Sequence, residues 1–82
     1  MDIEFDPAKD ALNIDKHGVS LARFVDMDVA SIVEDDRFDE PRLRIYGQLD
    51  GIWHCAAVTI RATAYRVISL RRAHAKEIRR HV

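Results

Sequence analysis

The stretch LRIYGQLDGIWHCAAVTI, Leu43 to Ile60, decides how this chain is read. Leu43, Ile45, Gly47 and Leu49 alternate with Arg44, Tyr46 and Gln48, a period of two that sends each set to its own face of a strand. Asp50 and Gly51 follow at once, and this dipeptide suits a two-residue type I′ turn, which needs positive φ at both positions. The run IWHCAAVTI then returns as a second apolar strand. The pair predicts a β-hairpin and, around it, an antiparallel sheet.

Toward the C-terminus, AYRVISL reads as a further strand, reached through a short connection at Arg61 to Thr63 that contains no glycine. After Leu70 the pattern becomes helical, with Ala75, Ile78 and Val82 on one side and Arg72, Lys76, Arg79 and Arg80 on the other. Toward the N-terminus, Ile3 to Phe5 is a short β-like piece. Asp6 then caps a helix whose first residue is Pro7, where a missing N–H costs nothing. Ala8, Ala11 and Leu12 give that helix a modest apolar stripe, and Gly18 ends it in the left-handed conformation, with Val19 as the accompanying apolar contact. Ser20 caps a second helix with Leu21, Phe24 and Val25 as its buried face, and from Ser31 the period changes to two. The order is a short N-terminal strand, two helices, an antiparallel sheet of about four strands and a C-terminal helix. This is an α+β fold with helices expected over one sheet face.

Eighty-two residues, 48% hydrophobic and 33% charged, suit one small domain spanning residues 1–82. No apolar run approaches the ~20 residues of a membrane span, and the acidic start from Asp2 to Asp6 is unlike a signal peptide, so the expected location is cytoplasmic. The single Cys55 has no disulfide partner within the chain and sits in an apolar strand pattern. The formal net charge of -1 conceals a separation. Arg61 to Val82 holds seven Lys/Arg and one acid, Glu77, whereas Met1 to Ile60 holds six Lys/Arg and thirteen Asp/Glu. A basic end of this kind attracts polyanions.

Arg61, Arg66, Arg71 and Arg72 are candidates for a phosphodiester site, because the planar guanidinium can bond two phosphate oxygens and keeps its charge. Simple alternation places Arg71 on the face of Tyr65 and Val67, and Arg66 and Arg72 on the face of Leu70. A solvated edge is the plainer reading of the same residues. Lys16 and His17 lie in the last turn of the first helix, where cations are favoured by the helix dipole, yet His17 also titrates near neutrality. His54 reads as a packed strand residue. His74 and His81 are seven apart without a zinc spacing. No P-loop, nucleotide-binding glycine pattern or nucleophile elbow is present. Asp35, Asp36, Asp39 and Glu40 form an acidic loop, to be hydrated or paired with Arg37 and Arg42. With no metal site and no cofactor expected, RNA is favoured as substrate over DNA, because its 2′-OH is an internal nucleophile.

IEFDPAKDALNIDKHGVS, DEPRLRIYG and RVISLRRAHAKE, in this order and at these spacings, resemble the BrnT family of bacterial toxins from type II toxin–antitoxin systems. The resemblance implies a RelE-like fold and a ribonuclease. It also implies neutralisation by a BrnA-like antitoxin that binds operator DNA through a ribbon-helix-helix domain, in a 2:2 heterotetramer. It supports Lys16, His17 and Gly18, then Glu40 and Arg42, then Arg61, Arg66, Arg71, Arg72 and Glu77. Phe5 stands where the family usually has tryptophan, and His81 where it often has tyrosine. The resulting expectation is a metal-independent endoribonuclease. His17, Arg61, Arg71, Arg72 and His81 would act at the scissile phosphate, and Lys16, Arg66, Lys76, Arg79 and Arg80 would bind RNA. The alternative is a non-catalytic module that uses the same arginines to bind nucleic acid or dock an antitoxin.

Overall fold

The computed structural model describes residues 2–82. Its elements are β1 (Asp2–Glu4), α1 (Pro7–His17), a 3₁₀ segment (Leu21–Asp26), β2 (Asp28–Asp35), β3 (Arg42–Leu49), β4 (Ile52–Arg61), β5 (Ala64–Arg72) and α2 (Ala75–His81). The sheet has five strands in the order β1-β5-β4-β3-β2. Strands β2 to β5 are antiparallel, while β1 adds to β5 in parallel, with Ile3 opposite Tyr65. The expected four-stranded antiparallel sheet is therefore a five-stranded mixed one. A three-residue piece cannot stand alone, and the free edge of β5 completes its hydrogen bonds. No helix among the described residues is long and apolar enough to cross a membrane.

Local sequence explains the element ends. The Asp6 carboxylate accepts from the Ala8 N–H at 2.8 Å, Pro7 opens α1, and Gly18 closes it at φ 74 with its N–H donating to the Ile14 carbonyl at 2.8 Å. Asp50 and Gly51 take φ 53 and 78, as the hairpin turn requires. In the connection without glycine, Ala62 itself takes φ 52.

The second helix differs from expectation in kind. Leu21–Asp26 is 3₁₀, and although Leu21 and Phe24 are buried, Val25 is exposed. A three-residue period brings Leu21 and Phe24 onto one line and turns Val25 away. The α1 stripe also faces outward, with Leu12 69% exposed. The helix is held instead by its polar side. Asp10 Oδ1 accepts from the Ser20 hydroxyl at 3.0 Å and the Leu21 N–H at 2.7 Å. Buried Asn13 donates to the carbonyls of Val19 at 2.9 Å and Leu70 at 2.8 Å, and accepts from the Leu70 N–H at 3.2 Å. Asn13 thus serves the edge of β5 as a strand would, beyond the point where β1 ends.

The main core lies between the sheet and the α1 side: Leu21, Phe24 and Met27 meet Ile45, Leu49, Ala56, Val58, Val67 and Leu70. Helix α2 is on the other face, against fully buried Tyr46. The helices therefore cover both faces rather than one. Amphipathic spacing shows which side of a helix is apolar, but not which side of the sheet receives it.

Candidate active site at the end of the sheet

Two local features set the direction of the arginines. Residues 57 and 58 of β4 face Ser69 and Val67, so Ile68 is an unpaired bulge residue in β5. The bulge shifts the alternation by one, and Val67 and Leu70 both enter the core. Arg71 consequently leaves the face of Val67, where simple alternation had placed it. It stands opposite Cys55, which itself stands opposite Tyr46, on the α2 face. Arg72, opposite His54, returns to the α1 side at the very end of the strand.

On the α2 face, Glu77 is the centre of a hydrogen-bonded clamp. Its Oε1 accepts from Arg71 Nη1 at 2.8 Å and from the His74 N–H at 2.9 Å; its Oε2 accepts from Arg71 Nη2 at 3.0 Å and from the Tyr46 hydroxyl at 3.2 Å. Arg44 Nη1 donates to the same hydroxyl at 3.2 Å, and the His81 ring stacks on Tyr46 with centroids 5.3 Å apart. Hydrogen bonds from Arg71 hold the Glu77 carboxyl down at about 2, against desolvation. Burial pushes the Tyr46 hydroxyl up to about 12 and raises the Cys55 thiol, which leaves both protonated at neutral pH.

On the α1 side, the chain end of α1 meets the ends of β4 and β5. A cavity of about 420 Å³ there is lined by His17, Arg23, Asp50, His54 and Arg72, among others. Arg23 is engaged by Asp26 at 3.0 Å and Asp50 at 3.2 Å. Arg72 is exposed and forms no salt bridge among the described residues. The His17 imidazole is pushed below its ordinary range by burial and then by the charges of Lys16 and Arg71. A smaller groove of about 190 Å³ runs beside it along the edge of β5, lined by Lys9, Asn13, Lys16, His17 and Ser69.

These residues form a site with a neutral imidazole, an unpaired guanidinium and a rim of further cations. Groups of these kinds are chemically suited to proton transfer beside an anion. The sequence model of a family described as ribonuclease toxin, BrnT, of type II toxin-antitoxin system matches residues 5–77. The chain belongs to the BrnT family. A 1.1 Å crystal structure of the Brucella abortus ribonuclease toxin BrnT resembles it with a TM-score of 0.69 and 30% identity, covering 90% of this chain and 97% of that one. No curated protein sequence matches the chain.

In this BrnT-family chain, His17 and Arg72 are brought together, with Lys16 next to His17 in the neighbouring groove, whereas Arg71 stands on the opposite face, bound to Glu77. Arg72 also shares with Arg79 a second cavity of about 450 Å³ that continues onto α2. Lys76 and Arg80 are exposed on that helix. His81 lies on Tyr46 within the clamp. Arg61 is not part of the group. It closes β4 at the opposite end from His54, roughly 23 Å away at ~3.3 Å per residue, and meets Glu40 at 3.3 Å. Arg66 faces Glu4 at 3.5 Å near β1. Sequence reading missed His54 as a cavity residue. Its period-two position correctly indicates the core side of β4, but only the tertiary structure shows that the core stops short of it.

Proposed function

We propose that this chain is a metal-independent endoribonuclease toxin that acts in the cytoplasm on RNA and is silenced by a BrnA-like antitoxin. In this reading the antitoxin forms a 2:2 heterotetramer with the toxin and carries the operator-binding ribbon-helix-helix domain. A RelE-like relationship belongs to the same proposal. The observation that carries it is the convergence of His17 and Arg72, from segments more than fifty positions apart, on one basic cavity in a chain of a ribonuclease-toxin family.

The division of labour follows from what each group is already bonded to. Neutral His17 accepts the proton of the RNA 2′-OH, and Arg72 holds the phosphate and the charge that grows on it. Arg71 spends two donors on Glu77 and one on the Arg72 carbonyl, at 3.1 Å. Its part is to position α2. His81 acts through Tyr46 in the same way. Lys16, Lys76, Arg79 and Arg80 attract the RNA backbone, and Arg61 and Arg66 extend that attraction along the sheet.

Two measurements test this together. Expression without a partner should arrest growth of a bacterial host, and co-expression of an adjacent antitoxin should restore it. The purified chain should cleave single-stranded RNA in EDTA. Normal growth with abundant folded protein, and intact RNA after incubation, would instead support a nucleic-acid-binding or antitoxin-docking module.

A further inference from the structure

His54 is 8% exposed, and it shares the cavity with His17 and Arg72. Its Nδ1 lies 2.8 Å from the Ile52 carbonyl. A carbonyl only accepts, so Nδ1 carries the hydrogen and Nε2 is the nitrogen left for other work. Register places the His54 backbone directly opposite that of Arg72. Purely apolar packing at this position would not need an imidazole, and none of the interactions of the clamp uses it. We propose that His54 is the general acid that acts opposite His17 on an RNA phosphodiester held by Arg72.

This rests on the reading of the chain as a ribonuclease, and assigns the second proton transfer. His17 takes the 2′-OH proton as the 2′-oxygen forms its bond to phosphorus. The bond from phosphorus to the 5′-oxygen breaks, and the proton on His54 Nε2 passes to that leaving oxygen. The products are a 2′,3′-cyclic phosphate and a 5′-OH. His17 ends protonated and His54 neutral, and solvent exchange resets both. The Ile52 carbonyl fits this role, since it continues to accept from Nδ1 while the ring carries both protons. The charged groups facing the pair are Arg72, Arg23 and Asp50 from the cavity wall, with the charges of Lys16 and Arg71 also acting on His17.

The experiment is single-turnover cleavage by the full chain of a labelled single-stranded RNA, and of the same RNA with sulfur replacing the 5′-bridging oxygen. A sulfur leaving group departs without a proton, so general-acid catalysis is dispensable for it. His54→Gln should slow cleavage of normal RNA by about 100-fold or more and return to within a few-fold of the parent on the sulfur substrate. His17→Gln should stay slow on both. For the unaltered chain, the rate on normal RNA should rise and then fall with pH, and the alkaline fall should vanish on the sulfur substrate. That comparison decides the matter without any variant should His54→Gln not fold. The proposal is overturned by equal losses on both substrates in folded His54→Gln, by an unchanged rate, or by an alkaline fall that persists with sulfur. An unaltered chain that cleaves neither RNA overturns the ribonuclease reading itself, and with it the proposal.

Discussion

Gly18 and Asn13 show two kinds of residue information. Gly18 has φ 74 and open space where a Cβ would stand, so any loss on substitution comes from the backbone alone. Gly18→Val should cost at least ~1 kcal/mol in urea unfolding, while Gly18→Asn, which tolerates positive φ, should cost less. Equal stability of the two variants would contradict the cap. This cap was legible in sequence because its partners lie within four residues. Asn13 was not, because its partner Leu70 lies 57 positions away. Asn13→Leu removes the side chain that meets the Leu70 N–H and carbonyl, and unmet buried polar groups cost about 1–3 kcal/mol each. The expected loss is therefore about 2 kcal/mol or more, and an unchanged urea midpoint would show that leucine packs there without harm.

Elements were legible where the signal is periodic and short-range. The β3–β4 hairpin followed from its alternation and its turn dipeptide, and β5 and α2 from their change of period. What the sequence hid was a matter of placement. Ile68 is apolar, so the bulge at it leaves no mark in RVISLRR, yet it decides that Arg71 joins the clamp and Arg72 the cavity. The clamp makes a pH prediction. The Glu77 carboxyl is held at about 2 in the folded chain, below its ordinary value near 4.5. A depressed carboxyl contributes its full stability above its unfolded value and loses it as pH falls through the folded one. The melting temperature should therefore drop between about pH 5 and pH 2. Asp35, also held at about 2 by Arg37, adds to the same drop. Glu77→Gln should be less stable than the parent at pH 7, and the gap should narrow toward pH 2. A gap independent of pH would mean that the ion pair with Arg71 does not hold α2.

At the scale of the whole molecule, the separated charge of the sequence becomes a basic end. Lys16 and His17 arrive from α1, Arg72 from β5, and Arg79 from α2, although the two α1 residues are more than fifty positions from the other two. Sequence reading therefore named His17 and Arg72, which line the cavity, but could not select among the arginines. Arg61, Arg71 and Arg72 looked alike, and their differences arise from Glu40, Glu77 and the absence of a salt bridge at Arg72 among the described residues. The central claim is that chemistry belongs to the cavity while the outer helix only attracts RNA. It is tested most directly by single-turnover cleavage with RNA at saturation and matched salt, comparing Arg72→Ala with the Arg79→Ala, Arg80→Ala double variant. Arg72→Ala should cleave about 100-fold more slowly or worse even when saturated. The double variant should bind more weakly, with a shallower salt dependence, yet cleave bound RNA at the parental rate. Folded Arg72→Ala that cleaves saturating RNA at the parental rate would contradict the account.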